Sequence, residues 1–427
     1  MHLACGLKID FCSNLVEKIA HFSEASRNVR TPLLEVLRWP HMKKLLAAVV
    51  ILGLLCIATR LVGPSLLEHS QNHTLAPGPY LISPEAAALH RTLLVADMHA
   101  DSLLWGRNLL KSSHEGHVDL PRLQQGNVAI QGFTVFTTVP LGINIERNED
   151  KTDLVPYIGI LQGWPFRAIG SPKGVALYQA ERMRRFVEKS NGPLMLLRTR
   201  GDVARLLEQR QAGSHVVGAL LGSEGAQPLE GDISNLGLLY HAGFRMMAPS
   251  HFTDTAVGGS AAGVNKGGLT PLGHEWVRQM EARGMLIDLA HASADTLREV
   301  TSIATMPVVV SHTGVKRVCN NSRNLSDEQL RAVASTGGVV GVGYWEVASC
   351  GTDAASIAKA VRYAIGVVGA EHVGLGSDFD GAVTEPFDSS GMALITEALL
   401  QQGISEHDIR LVMGENVARV LLQVLPQ

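Results

Sequence analysis

The sequence predicts an α/β chain: a (β/α)8 barrel of the TIM type, preceded by a single N-terminal membrane-anchor helix. Eight short runs rich in Val, Ile, Leu, Gly and Ala recur at 93–98, 128–136, 216–222, 244–250, 284–290, 307–311, 337–345 and 372–377. Most are apolar almost without interruption, as parallel strands must be when helices cover both faces of their sheet. Amphipathic stretches separate several of them, such as Thr270–Gly284 before the fifth run and Ser326–Gly337 before the seventh. A βα unit repeated about eight times suggests a barrel; a doubly wound open sheet is the alternative. The 427 residues, 46% of them hydrophobic, suffice for one large core.

The N-terminus is a separate object. Residues 45–59 carry no charge, follow Lys43 and Lys44, and stop at Arg60. Extension to Gly63 brings the run near the lower limit of about 17 residues for a membrane span. The flanking lysines favour a cytoplasmic N-terminus and an extracytoplasmic domain, periplasmic in a bacterium. No clear small-residue cleavage site follows, which favours an uncleaved anchor over a cleaved signal peptide. Residues 1–44 then form a tail. Met42 also begins a signal-like start of its own, so residues 1–41 are either a short cytoplasmic tail or an over-extended gene start.

Residues 64–82, with Pro64, Pro77, Gly78 and Pro79, read as a linker. Ser83 and Pro84 supply an N-cap and a first-turn proline for a helix to about His90, opening the domain at 83–427. The stretch 137–215 is long for one crossover and must hold an insertion or extra helices. Residues 390–402 and 405–424 read as two packing helices. Of five cysteines, only Cys319 and Cys350 lie in the globular part. In an exported domain they either pair, gaining about 3–4 kcal/mol on the chain-entropy model, or remain two buried thiols. A net charge of −3 gives no basic footprint for nucleic acid.

The chemistry is carried by five residues, each placed where a strand-like run gives way to a loop: His99, Asp101, Glu224, His291 and His312. Residues i and i+2 of an extended chain share a face, so His99 and Asp101 can reach one metal. In a barrel the carboxyl ends of all strands share the face where active sites sit. Singly, each has a bland explanation: Glu224 as a helix cap or loop carboxylate, His291 as a capped core histidine. His114, His117, His215, His241, His274 and His372 receive such a reading, as surface or core residues. Five ligand types at four strand ends make coincidence a poor account. Five ligands with one bridging carboxylate are what a two-metal hydrolytic centre needs.

The motifs DMHADSLLW, GSEGAQPLEGDISNLGLLYHAGFRMM, SHFTD, GMLIDLAHAS, VVSHTGVKRVCNNSRNLSDEQL, GLGSDFDG and GENVARVL occur in this order across about residues 83–424. With them the chain resembles the membrane (renal) dipeptidase family of zinc peptidases, family M19, within the amidohydrolase-like barrels. The resemblance implies a dipeptidase that hydrolyses its peptide bond with a water held between two zinc ions. It implies that His99 and Asp101 hold one zinc, His291 and His312 the second, and that Glu224 bridges them. It assigns His251, Arg323 and Asp378 to substrate and catalysis, and Cys319 and Cys350 to a disulfide. Asp378 is preferred over Asp380 as nearest the strand end.

His251 then donates to the developing oxyanion. Arg323 offers a two-pronged donor to a terminal carboxylate. Asp378 moves a proton or anchors the substrate's ammonium. The bland alternatives are a surface ion pair for Arg323, a donor to a metal ligand for His251, and a loop cap for Asp378. Manganese or cobalt is the alternative to zinc. A deacylase or lactamase-type hydrolase, or a non-catalytic envelope binding protein, is the alternative to a dipeptidase. Members of the family often form homodimers.

Overall fold

The computed structural model describes residues 40–427. Most of the tail expected at 1–44, with Cys5 and Cys12, lies outside the described residues. Two compact units divide at Val62 and Gly63. In the first, the described residues form the opening of a helix that runs Pro40–Gln71. Its stretch Lys44–Gln71 has a mean hydropathy of 2.6, with none of the apolar window buried, and is long and apolar enough to cross a membrane. The helix exceeds the expected 45–63 at both ends. It runs through Pro64, into the segment expected as a linker.

The second unit is an α/β fold built on parallel strands. They are β1 (Val95–Asp97), β2 (Val128–Val135), β3 (Val217–Ser223), β4 (Met246–Met247), β5 (Leu286–Ile287), β6 (Val309–Thr313), β7 (Val339–Val342) and β8 (Val373–Leu375). Each falls within or overlaps one of the eight apolar runs. One sheet is ordered β1-β2-β3-β4-β5 and a second β8-β7-β6. Isolated parallel bridges connect their margins: Asp288 with Val309, and Ala100 with Phe379. The Met98 N–H also donates to the Leu375 carbonyl at 3.0 Å. The strands are buried throughout, as their apolar runs require.

The insertion at 137–215 contains helices Val155–Leu161, Pro172–Ser190 and Arg200–Gln211 and a short strand, Leu194–Leu196. That strand pairs with the first half of β3, while β2 pairs along the other edge. The helix expected from Ser83 is present as Pro84–His90, with the Ser83 hydroxyl accepting from the Ala86 N–H at 3.1 Å. The stretch 405–424 is not one helix. It is Glu406–Arg410, a wide turn at Leu411–Glu415, then Asn416–Val424. Gly414 explains the break: a Cβ there would lie 2.3 Å from the Leu94 carbonyl, so the chain leaves helical geometry to pass β1 closely. Cys319 and Cys350 form a disulfide with Cα atoms 5.2 Å apart.

Candidate metal centre

Strand ends set the positions of the five ligand-type residues. His99 and Asp101 follow β1, Glu224 follows β3, His291 lies four residues past β5, and His312 is in the last turnings of β6. All five are buried. Glu224 is the hub. Its Oε1 lies 3.0 Å from His291 Nε2, 3.4 Å from His312 Nε2 and 3.6 Å from His99 Nε2. Its Oε2 lies 3.4 Å from His251 Nε2. Asp101 Oδ2 is 3.6 Å from His99 Nε2, and His291 and His312 face each other at 3.0 Å through their Nε2 atoms. Three triads bring donor atoms within 4.8 Å of one another: His99–Asp101–Glu224, Glu224–His251–His291 and His99–His312–Asp378. The first matches the expected zinc trio. In the second, His251 stands with Glu224 and His291, in a position expected for substrate contact rather than ligation.

The ring orientations have a cause. Ser311 Oγ sits 3.0 Å from His99 Nδ1 and 3.0 Å from His312 Nδ1, which turns both Nε2 atoms to the centre. The Ser311 N–H donates to Asp288 Oδ1 at 2.8 Å, so β5 holds β6 in register beneath the site. Thr134 Oγ1 donates to Asp101 Oδ1 at 2.8 Å, leaving Oδ2 inward. Partners of this kind fix ligand tautomer and direction. Ser311, Thr134 and Asp288 were not expected. Their only signal was adjacency, Ser311 beside His312 in VVSHTG and Asp288 in LIDLAH.

The outer three expected residues also converge. Asp378 Oδ1 is 3.9 Å from His99 Nε2. His251 packs between Phe252 and Phe136, at ring separations of 4.1 and 5.7 Å. Buried Arg323 donates from Nη2 to the His312 carbonyl at 2.9 Å and lies over the Trp345 ring at 5.6 Å. Asp380 turns elsewhere, to Arg107, Ser102 and the His117 N–H. A cavity of about 290 Å³ opens beside His291 and Arg323. A larger cavity, about 790 Å³, lies instead before the strands begin, near Thr92, Asn127 and His215, away from all these residues.

Electrostatics fit a cation. Burial, then the Asp101 charge, pushes the Glu224 carboxyl well above its ordinary range. Burial opposes charge on His99, but Glu224 and Asp101 outweigh it and raise it to about 10. The cage thus draws in positive charge. Burial holds His251, His291 and His312 well below the usual histidine value, and neutral imidazole is the ligating form. His99 Nε2 and His251 Nδ1 are buried with no hydrogen-bond partner. A buried polar atom left so is costly unless something pairs with it, and a metal would do this for His99 Nε2. Two carboxylates and three imidazoles suit zinc.

The model for the membrane dipeptidase family, peptidase family M19, matches residues 84–425. The chain belongs to this family. The family is one of metallopeptidases, and the converging residues are of a kind able to hold a metal. Among similar proteins, the dipeptidase tcpJ of Claviceps purpurea is 28% identical over 322 residues, 72% of this chain and 69% of that one. The dipeptidase aclJ of Aspergillus oryzae is 29% identical over 360 residues, 79% and 80% of the two. A metallopeptidase of Rhodobacter sphaeroides, solved with a phosphinate mimic of L-Ala-D-Ala, superposes with a TM-score of 0.64 at 25% identity. It covers 78% of this chain and 99% of its own.

Proposed function

We propose that this M19 chain is a zinc-dependent dipeptidase with a binuclear centre, on a (β/α)8 barrel formed by β1–β8 at 83–427. The observation that carries it is the Glu224 carboxylate, one oxygen facing three imidazoles and the other facing His251. His99 and Asp101 would hold one zinc, His291 and His312 the second, with Glu224 shared. Bound there, zinc supplies Lewis-acid polarisation of a carbonyl and a water acidic enough to act near neutral pH.

The chain's own side chains do the rest. Asp378, its carboxyl raised by burial to about 7 against the lowering pull of His99, is suited to take and return a proton near neutrality. His251, held neutral by burial, donates a hydrogen bond to the developing oxyanion. Arg323, anchored by one nitrogen to the His312 carbonyl, offers its remaining N–H groups to a substrate carboxylate. Phe136, Phe252 and Trp345 limit water around these groups. The apolar helix supports a membrane-anchored or exported protein with an extracytoplasmic catalytic domain.

Reading the carboxylate is what makes such a site a dipeptidase. Turnover of L-Ala-L-Ala should therefore collapse, by roughly 100-fold or more, when the carboxylate is amidated, since a buried cation loses its partner. Equal turnover of the amide would move the assignment to a deacylase or lactamase-type hydrolase.

A further inference from the structure

The turn after β8 carries Asp378, and its backbone is held in an uncommon shape. Asp378, Asp380 and Ala382 all have positive φ, at 70°, 63° and 61°. Such a conformation is strained for a non-glycine residue and persists only where its surroundings over-determine it. Much of that determination comes from a segment outside the family match, which begins at residue 84.

The segment Ser65–Ala76 lies along this turn. His73–Thr74 pairs in parallel with Thr384–Glu385. The His73, Leu75 and Ala76 N–H groups donate to the Val383, Glu385 and Pro386 carbonyls at 3.1, 2.9 and 3.1 Å. The Ala382 N–H donates to Asn72 Oδ1 at 2.9 Å. A second tie runs through charge. Glu68, only 3% exposed, accepts from Arg107 Nε at 2.5 Å, and the same guanidinium pairs with Asp380. Gly116 makes room for that pair. Its φ is +64°, and a Cβ there would lie 2.5 Å from Arg107 Nη2 and 2.6 Å from Asp380 Oδ1.

His117 forms a third tie. The Asp380 N–H can only donate, so His117 Nδ1 accepts it, at 3.0 Å. The His73 carbonyl can only accept, so His117 Nε2 carries the proton, at 3.0 Å. One neutral imidazole thus bridges the segment to the turn, and burial, which keeps His117 below its ordinary value, agrees with that tautomer.

We infer that Ser65–Ala76 is a strap that holds the Asp378 turn in its working shape, with Glu68, Asn72 and Arg107 as positioning residues for Asp378. The inference rests on the proton-transfer role proposed above for Asp378. None of the three touches the metal cage, so the strap acts on the turn and leaves metal loading alone.

The test uses the full chain in detergent, loaded with zinc, as wild type, Glu68→Gln and the milder Asn72→Ala. Three quantities are read: zinc content, kcat and KM on L-Ala-L-Ala, and hydrogen–deuterium exchange of the 378–386 peptide. In both variants that peptide should exchange faster, kcat should fall about tenfold or more, because small misplacements of a catalytic group are costly, and KM and zinc content should hold within twofold. Unchanged exchange in a folded Asn72→Ala protein would overturn the strap. Faster exchange with unchanged kcat would overturn the positioning role. A wild type that binds zinc but turns over no dipeptide sinks the functional reading instead, while exchange still decides whether the strap holds the turn.

Discussion

Ser311 shows how a single hydroxyl organises this site. It lies 3.0 Å from an Nδ1 on each side, and its oxygen has two lone pairs, so both imidazoles can donate Nδ1–H to it, which leaves each Nε2 lone pair for a metal. Both rings are thereby locked with Nε2 inward. Ser311→Ala should leave the fold intact and weaken metal affinity by roughly 10–100-fold, the usual effect of removing such a support. Chelator competition measures it, and unchanged affinity would mean that packing alone orients the rings. The five candidate ligands were legible because each ends an apolar run, a place where a buried polar group needs a reason. Ser311, Thr134 and Asp288 were not, since serine, threonine and aspartate near strand ends are common. Asp378 and Asp380 share one motif: Asp378, expected as nearest the strand end, faces His99, and Asp380 is taken up by Arg107 and the His117 N–H.

Between elements, His90 is the clearest joint. Its Nε2 donates to the Gly126 carbonyl at 3.1 Å and its Nδ1 accepts from Thr396 Oγ1 at 2.8 Å, tying helix Pro84–His90 to helices Leu120–Gln125 and Ala393–Gln401. Burial holds it below the ordinary histidine value, so it stays neutral when folded. The sign follows. As pH falls below 6.5 the unfolded chain takes up a proton that folded His90 refuses, so stability present above that pH is lost towards the folded value. The urea-unfolding stability of wild type minus His90→Gln should therefore shrink from pH 7.5 to pH 5.5. A constant difference would contradict a neutral buried His90. Elements were legible in proportion to their apolar length. The eight buried strands each lie in or overlap an apolar run, whereas Leu194–Leu196 was not distinguished from the helices on either side of it. His73–Thr74 is polar and sits in a stretch whose prolines suggest a linker.

At the scale of the whole molecule, order and spacing of the strands bring residues from positions 99 to 378 to one face, while a cavity of about 790 Å³ lies at the other end. The parallel sheet architecture was legible because burial on both faces leaves a composition that solvent-facing strands lack. The attachment of Ser65–Ala76 was not, because its contacts are scattered backbone and side-chain hydrogen bonds and ion pairs, which leave no periodic trace. The central claim is the shared carboxylate. The most direct measurement is zinc stoichiometry with dipeptide turnover, on the full chain, for wild type and Glu224→Ala. The account predicts near two zinc ions per wild-type chain, with turnover of L,L or L,D dipeptides. The variant should lose at least one ion and fall by roughly 1,000-fold or more in kcat, because Glu224 would be shared by both positions and the metals would supply nucleophile and electrophile. A wild type without stoichiometric metal, or a Glu224→Ala protein that keeps two ions and full turnover, would contradict it.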